Sequence, residues 1–227
     1  MTARPPLSRI RPYTAVIFDF DFTLADAGSG ILASFRHAFE RMSLPCPDDY
    51  AILRTVGMAL DDAFPLLTGI SDPDAVRQLR AHFREKADEV MAASTVFFPG
   101  ALELLTELRA RSLKTAVVSS KYRYRIEEVF ALHGASGAVD LIVGYEDTDA
   151  HKPKPDGLLI AAERLGVRVE GSLYVGDSVV DGQTAQNAGM DFAATLTGPT
   201  GREEFEGIPY VCITESLSGV MQCLGLV

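Results

Sequence analysis

The stretch Ala15-Val16-Ile17-Phe18-Asp19-Phe20-Asp21-Phe22-Thr23 decides the fold. Its first four residues are apolar, as in a buried strand, and the run stops on two acids. On a strand the side-chain period is two, so Asp19 and Asp21 project to one side and Phe20 packs on the other. Two carboxylates on one edge repel each other unless a divalent metal, a shared proton or a lysine joins them. Each of those remedies is also a component of a catalytic site. Acids at a strand end also serve as solvated loop residues or helix caps, so the pair needs support from elsewhere in the chain.

Three later segments supply it. Each is an apolar run or turn closing on polar groups: Thr115-Ala116-Val117-Val118-Ser119, then His151-Lys152-Pro153-Lys154-Pro155, then Leu173-Tyr174-Val175-Gly176-Asp177 followed by Asp181. In order, these match Asp-x-Asp-x-Thr, a strand-terminal Ser or Thr, a Lys, and Gly-Asp-x-x-x-Asp. On those four motifs the chain resembles the haloacid dehalogenase-like hydrolase superfamily, from about Ala15 to Gly189. Phe98-Pro99-Gly100 and the helical run Ala101 to Arg109 resemble its phosphoglycolate phosphatase-like branch. Two positions depart from the family pattern. Phe22 stands where Gly is usual, which puts the local loop geometry in question, and Ser120 follows Ser119 where Asn is common. Phe22 could pack in the core or form an apolar wall beside the substrate.

The chain has 227 residues, 47% of them hydrophobic, enough for one ordinary domain and a smaller one. The Met1 to Pro12 segment lacks the apolar core of a secretory signal and no run is long enough to span a membrane, so a cytoplasmic protein with no membrane partner is expected. Cys46, Cys212 and Cys223 are an odd set without C-x-x-C spacing, which argues for a reducing compartment and against a disulfide framework or zinc site. The histidines His37, His82, His133 and His151 show no paired ligand spacing. A net charge of -10 argues against nucleic acid as a partner but leaves room for a small phosphorylated metabolite. The one basic cluster, Lys121-Tyr122-Arg123-Tyr124-Arg125, reads as a solvated helix start, although Lys121 or Arg123 could also touch a leaving group. The sequence leaves monomer and homodimer open.

Between Thr23 and Phe97 the apolar positions recur at helical spacing, Ile31, Phe35, Ala38 and Phe39 behind Ser29 as a candidate N-cap, then Val76 to Val90 behind Asp72-Pro73. No strand is expected there. After Pro99, short apolar strands alternate with helices, which implies a parallel sheet with all strand C-termini on one edge. The expected fold is therefore α/β, a Rossmann-like doubly wound parallel sheet core with an inserted α-helical cap domain. Its boundaries are an N-terminal extension at 1–14, the core at 15–27 and 96–227, and the cap at 28–95. Gly57-Met58-Ala59-Leu60 sits where such caps lower a loop toward the site.

The resemblance implies a magnesium-dependent phosphatase that works through an aspartyl-phosphate. Asp19 would be the nucleophile and Asp21 the proton donor and acceptor, Ser119 and Lys152 would bind the phosphoryl group, and Asp19, the Asp21 backbone carbonyl and Asp177 would hold Mg2+. Thr23 and Asp181 would orient that set from behind. Phe22, Gly57, Lys121 and Arg123 are the candidate specificity residues. Charge counting also favours a cation, because Asp19, Asp177 and Asp181 face Lys152 alone before a phosphate dianion arrives; oxygen donors suit Mg2+ better than zinc. A sugar phosphate mutase of the phosphoglucomutase type uses the same core, and an inactive phosphate-binding protein would keep the fold.

Overall fold

A computed structural model of the chain describes residues 13–226; residues 1–12 of the expected N-terminal extension lie outside them. In chain order the elements are β1 (Ala15–Phe18), β2 (Ala25–Asp26), α1 (Gly28–Arg41), α2 (Asp49–Leu53), α3 (Leu60–Thr68), α4 (Pro73–Ser94), β3 (Val96–Phe97), α5 (Ala101–Ala110), β4 (Lys114–Val118), α6 (Arg123–Leu132), β5 (Leu141–Val143), α7 (Asp156–Leu165), β6 (Ser172–Gly176), α8 (Val179–Ala188), β7 (Asp191–Thr195), β8 (Cys212–Thr214) and α9 (Val220–Cys223). The main sheet is six-stranded in the order β5-β4-β1-β6-β7-β8, and every pairing in it is parallel.

Strand alternation builds two cores, one on each face of the sheet. Val16, Phe18, Val117, Leu173 and Val175 face α5 and α6, where they meet Leu104, Leu108, Ile126 and Phe130. Ile17, Ala116, Val118 and Tyr174 face the other way, onto Leu158, Ala161, Ala185 and Phe192. The central strand β1 is therefore buried on both sides, which is why its sequence shows a continuous apolar run instead of alternation. Because β4 and β6 flank β1 on opposite sides, the crevice where the strand order turns lies at the C-terminal end of β1, where open α/β sheets bind ligands.

The segment from α1 to α4 has a core of its own, with Phe35, Phe39, Phe64, Leu79, Phe83 and Met91 packed together. Phe35 sits 4.9 Å from Phe83 and 5.1 Å from Phe64, centroid to centroid. Burying each such ring contributes on the order of 2 kcal/mol. As expected, Asp72 caps α4, its carboxylate accepting from Ala75 N at 2.9 Å with Pro73 in the first turn. Ser29 does not cap α1. The helix begins at Gly28, whose N–H donates to Asp26 Oδ1 at 2.8 Å, so Ser29 lies inside the first turn.

Asp26 is placed by a feature the periodicity does not reveal. Contrary to the expectation of no strand, Ala25–Asp26 and Val96–Phe97 pair as a two-residue antiparallel ribbon. It ties together the two connections between the helical segment and the sheet. A second correction concerns the cysteines. Cys212 and Cys223 form a disulfide with a Cα separation of 5.9 Å, because the short return from β8 to α9 brings their side chains together; Cys46 is free and exposed. The inference from an odd cysteine count to a reducing compartment thereby loses its footing. Among the described residues no helix is long and apolar enough to cross a membrane.

Candidate active site

The end of β1 fixes Asp19. Its N–H donates to Val175 O at 2.9 Å, continuing the ladder one residue past the strand and burying the carboxylate. Lys152, on the connection between β5 and α7, reaches the same spot. Its Nζ lies 2.9 Å from Asp19 Oδ1, an ion pair buried at both ends. Lys152 is anchored from the other side by Asp181 Oδ1 at 2.7 Å. Burial opposes the charge on Lys152, but Asp181 and Asp19 outweigh it and raise its pKa. Lys154 is exposed.

Asp181 stands in the first turn of α8 and is saturated with donors. Oδ1 accepts from Lys152 Nζ and from Tyr174 OH at 2.9 Å, and Oδ2 accepts from Ser178 N at 3.1 Å and Ser178 Oγ at 2.6 Å. Ser178 in turn caps the helix by accepting from Asp181 N at 3.2 Å. Asp177, at the end of β6, accepts from Thr23 Oγ1 at 3.0 Å. A side chain at Gly198 would collide with the other Asp177 oxygen, so that turn approaches the site only because the residue is glycine.

Carboxylate oxygens of Asp19, Asp177 and Asp181 all lie within 4.8 Å of one another. Burial raises the Asp19 pKa to about 6, against the pull of Lys152 and with help from Asp181 and Asp21. Burial and the neighbouring Asp181 and Asp19 also hold the Asp177 carboxyl well above the usual range. Three crowded buried acids facing one lysine suit a hard divalent cation. Because Asp181 already has four donors, Asp19 and Asp177 fit as ligands and Asp181 fits as the residue that aims Lys152.

Asp21 has a different partner. Lys121 Nζ lies 2.7 Å from its Oδ1, and both side chains are largely buried. Ser119 is fixed at the end of β4, its N–H donating to Val143 O at 3.1 Å and its Oγ accepting from Lys121 N at 3.3 Å. Asp19, Asp21, Ser119 and Lys121 line one cleft, open to solvent and roofed by the Gly57 to Leu60 turn. Gly57 takes the left-handed φ of 96° that this turn requires. Ser120, one of the departures from the family pattern, donates to Gly57 O at 2.7 Å and so joins roof to floor.

Two candidates lie elsewhere. Arg123 turns away to Asp147 at 2.8 Å and does not line the cleft. Phe22 adopts the left-handed φ of 59° that Gly would take freely, and its ring packs beside Gly28 instead of walling the substrate. Thr197 Oγ1 donates to Phe22 O at 2.5 Å and holds the strained turn. Sequence reasoning missed Tyr174 and Ser178, whose hydroxyls fix Asp181. A Ser three residues ahead of an acid is a capping-box pattern and was readable; a Tyr inside an apolar strand gave no hint. His37 and His82, set aside for want of spacing, come together with Glu85 on the outer face of α1 and α4.

A family model described as haloacid dehalogenase-like hydrolase matches residues 16–195. The chain is 32% identical over 211 residues, 91% of either chain, to a Dickeya dadantii (strain 3937) protein named Probable phosphatase IndB. It is 26% identical over 241 residues to the Escherichia coli O157:H7 phosphoglycolate phosphatase, covering 97% of this chain and 96% of that one. Among solved structures, a Bacteroides fragilis protein described as a haloacid dehalogenase-like hydrolase superposes with a TM-score of 0.89 at 40% identity, covering 92% of this chain and 99% of that one.

Proposed function

The chain belongs to the haloacid dehalogenase-like hydrolase family as a phosphoric monoester hydrolase, and from that premise we propose that it cleaves a small phosphorylated metabolite through an aspartyl-phosphate on Asp19, with Mg2+ as cofactor. The observation that carries this reading is the buried Asp19 carboxylate, 2.9 Å from Lys152, on the floor of the cleft that also holds Ser119 and Asp21. Asp19 and Asp177, with the backbone carbonyl of Asp21, would hold the cation. Bound there, Mg2+ supplies positive charge for the phosphoryl oxygens at a site where carboxylates outnumber ammonium groups.

The protein's own groups then divide the work. Asp19 attacks phosphorus, and the P–O bond to the leaving alcohol breaks as the bond to the Asp19 carboxylate forms. Lys152 and Ser119 bind the equatorial oxygens, the first by charge and the second through its hydroxyl. Asp21 donates a proton to the departing oxygen and recovers one from the water that later attacks the acyl phosphate, returning Asp19 and releasing phosphate. Asp181 holds Lys152 in line throughout.

The test is turnover of p-nitrophenyl phosphate with and without Mg2+, by wild type and Asp19→Asn. Hydrolysis that needs the cation and is abolished in a folded Asn variant supports the mechanism. Turnover by that variant at the wild-type rate would rule out Asp19 as the nucleophile.

A further inference from the structure

The cleft continues past the phosphoryl site, and one of its walls is apolar. Four of its residues, Ile31, Phe35, Phe83 and Met91, are core residues of the helical segment whose faces also line the cavity. Val56 and Met58, partly exposed on the roof, extend the same surface. Most of the polar groups along this wall already have one partner within the protein. Thr55 Oγ1 donates to Ile52 O at 2.7 Å, Ser120 Oγ to Gly57 O at 2.7 Å and Tyr145 OH to Asp61 at 3.3 Å. Of the lining cations, Arg80 pairs with Asp61 at 2.6 Å, Arg125 with Asp88 at 2.5 Å and Lys121 with Asp21 at 2.7 Å. Arg84 makes no ion pair among the described residues and lies over the Tyr122 ring at 4.6 Å.

A polyhydroxylated substrate would leave the hydroxyls that face Ile31, Phe35, Phe83 and Met91 without partners, which is costly wherever water is excluded. An apolar body would instead remove both its own surface and the wall from water. Resting on the phosphatase reading, we propose that the preferred substrates are phosphomonoesters whose leaving alcohol is apolar and compact, aromatic rings included, and that sugar phosphates and small phosphorylated acids are disfavoured. Arg84 and the hydroxyl of the Tyr122 ring beneath it are the polar handles beside that wall.

The test separates this inference from the catalytic reading. Asp19→Asn is titrated calorimetrically in Mg2+ with phenyl phosphate, glucose 6-phosphate and 2-phosphoglycolate, and kcat/KM is measured for the same three on wild type. Phenyl phosphate is expected to bind at least ~tenfold tighter than either competitor and to lead in kcat/KM. Equal or tighter binding of the sugar phosphate overturns the apolar pocket, and equal or tighter binding of phosphoglycolate shows that Arg84 selects an anion instead. If the wild type hydrolyses nothing while the variant keeps the preference for phenyl phosphate, the hydrolase reading fails and the pocket stands. Met58→Gln, nearly isosteric and on the partly exposed roof, should narrow the phenyl-to-glucose ratio several-fold. An unchanged ratio in that folded variant counts against the proposal.

Discussion

Asp19 and Asp21 sit two positions apart yet meet different lysines, and that difference divides their roles. Lys152 faces Asp19, the proposed nucleophile, and is itself held by Asp181, whereas Lys121 holds Asp21, the proposed proton-transfer acid. Asp21→Asn should therefore lower kcat by about 10²- to 10⁴-fold on an alkyl phosphate, where the leaving alkoxide needs a proton, and by much less on p-nitrophenyl phosphate. Equal losses on both esters would remove proton transfer from the role of Asp21. Lys152→Ala should abolish turnover while Lys154→Ala, at an exposed position, leaves it intact; the reverse pattern would shift the motif by two residues. The crowding of acids also has a pH signature. Burial raises the Asp19 pKa from 3.8 to about 6 and raises that of Asp177 as well. Between those values the folded, metal-free protein binds more protons than the unfolded chain, so the contribution of this site to stability falls as pH rises. A divalent cation needs the ionised carboxylates and relieves their repulsion. Mg2+ should thus raise Tm more at pH 7.5 than at pH 5, and scanning calorimetry with and without chelator checks the sign.

At the scale of elements, the sequence was most informative where one local cause dominates. The strands β1, β4 and β6 are buried on both faces and are followed by polar groups, so both the strand and the candidate site at its end were legible from the apolar run and the residue that stops it. The helix α4 was legible from its cap, Asp72-Pro73. The ribbon of β2 and β3 was not, because two residues per strand carry no periodicity and their pairing joins positions about seventy apart. The Cys212–Cys223 disulfide escaped for a similar reason: it depends on how β8 returns into α9, which no spacing rule encodes. Tyr174 shows the limit most clearly. As a core residue of β6 it reads as packing, yet its hydroxyl donates to Asp181 at 2.9 Å. Tyr174→Phe keeps the ring and removes that donor, so the expected stability loss is about 1 kcal/mol, with a larger fall in kcat than in KM because Asp181 aims Lys152. A change in KM alone would make the tyrosine purely structural.

For the molecule as a whole, the helical segment is closed over the sheet edge by contacts on opposite sides of the cleft. Arg54 reaches across to Glu204 at 2.8 Å and to Pro199 O at 3.3 Å. Opposite it, Asp88 accepts from Arg125 at 2.5 Å and from Tyr124 OH at 2.7 Å. Ser120 and Gly57 meet between them. Each part keeps its own hydrophobic core, so these latches set the position of the helical segment more than its folding. Arg54 and Glu204 are each about one-third exposed, and such a pair contributes roughly 1 kcal/mol or less. Arg54→Ala should leave Tm nearly unchanged and raise KM for a small ester a few-fold, because a looser roof binds the substrate less and admits water. With the latches in place, a substrate must fit beneath the Gly57 to Leu60 turn, and a phosphorylated side chain on a folded protein brings its whole surface against that roof. Folded phosphoproteins should therefore show kcat/KM at least ~100-fold below a small phosphate ester, a gap equivalent to two factors of ten in transition-state binding. A phosphopeptide, able to thread the opening, should fall between. Comparable kcat/KM on the folded phosphoprotein would mean that the helical segment does not close during catalysis.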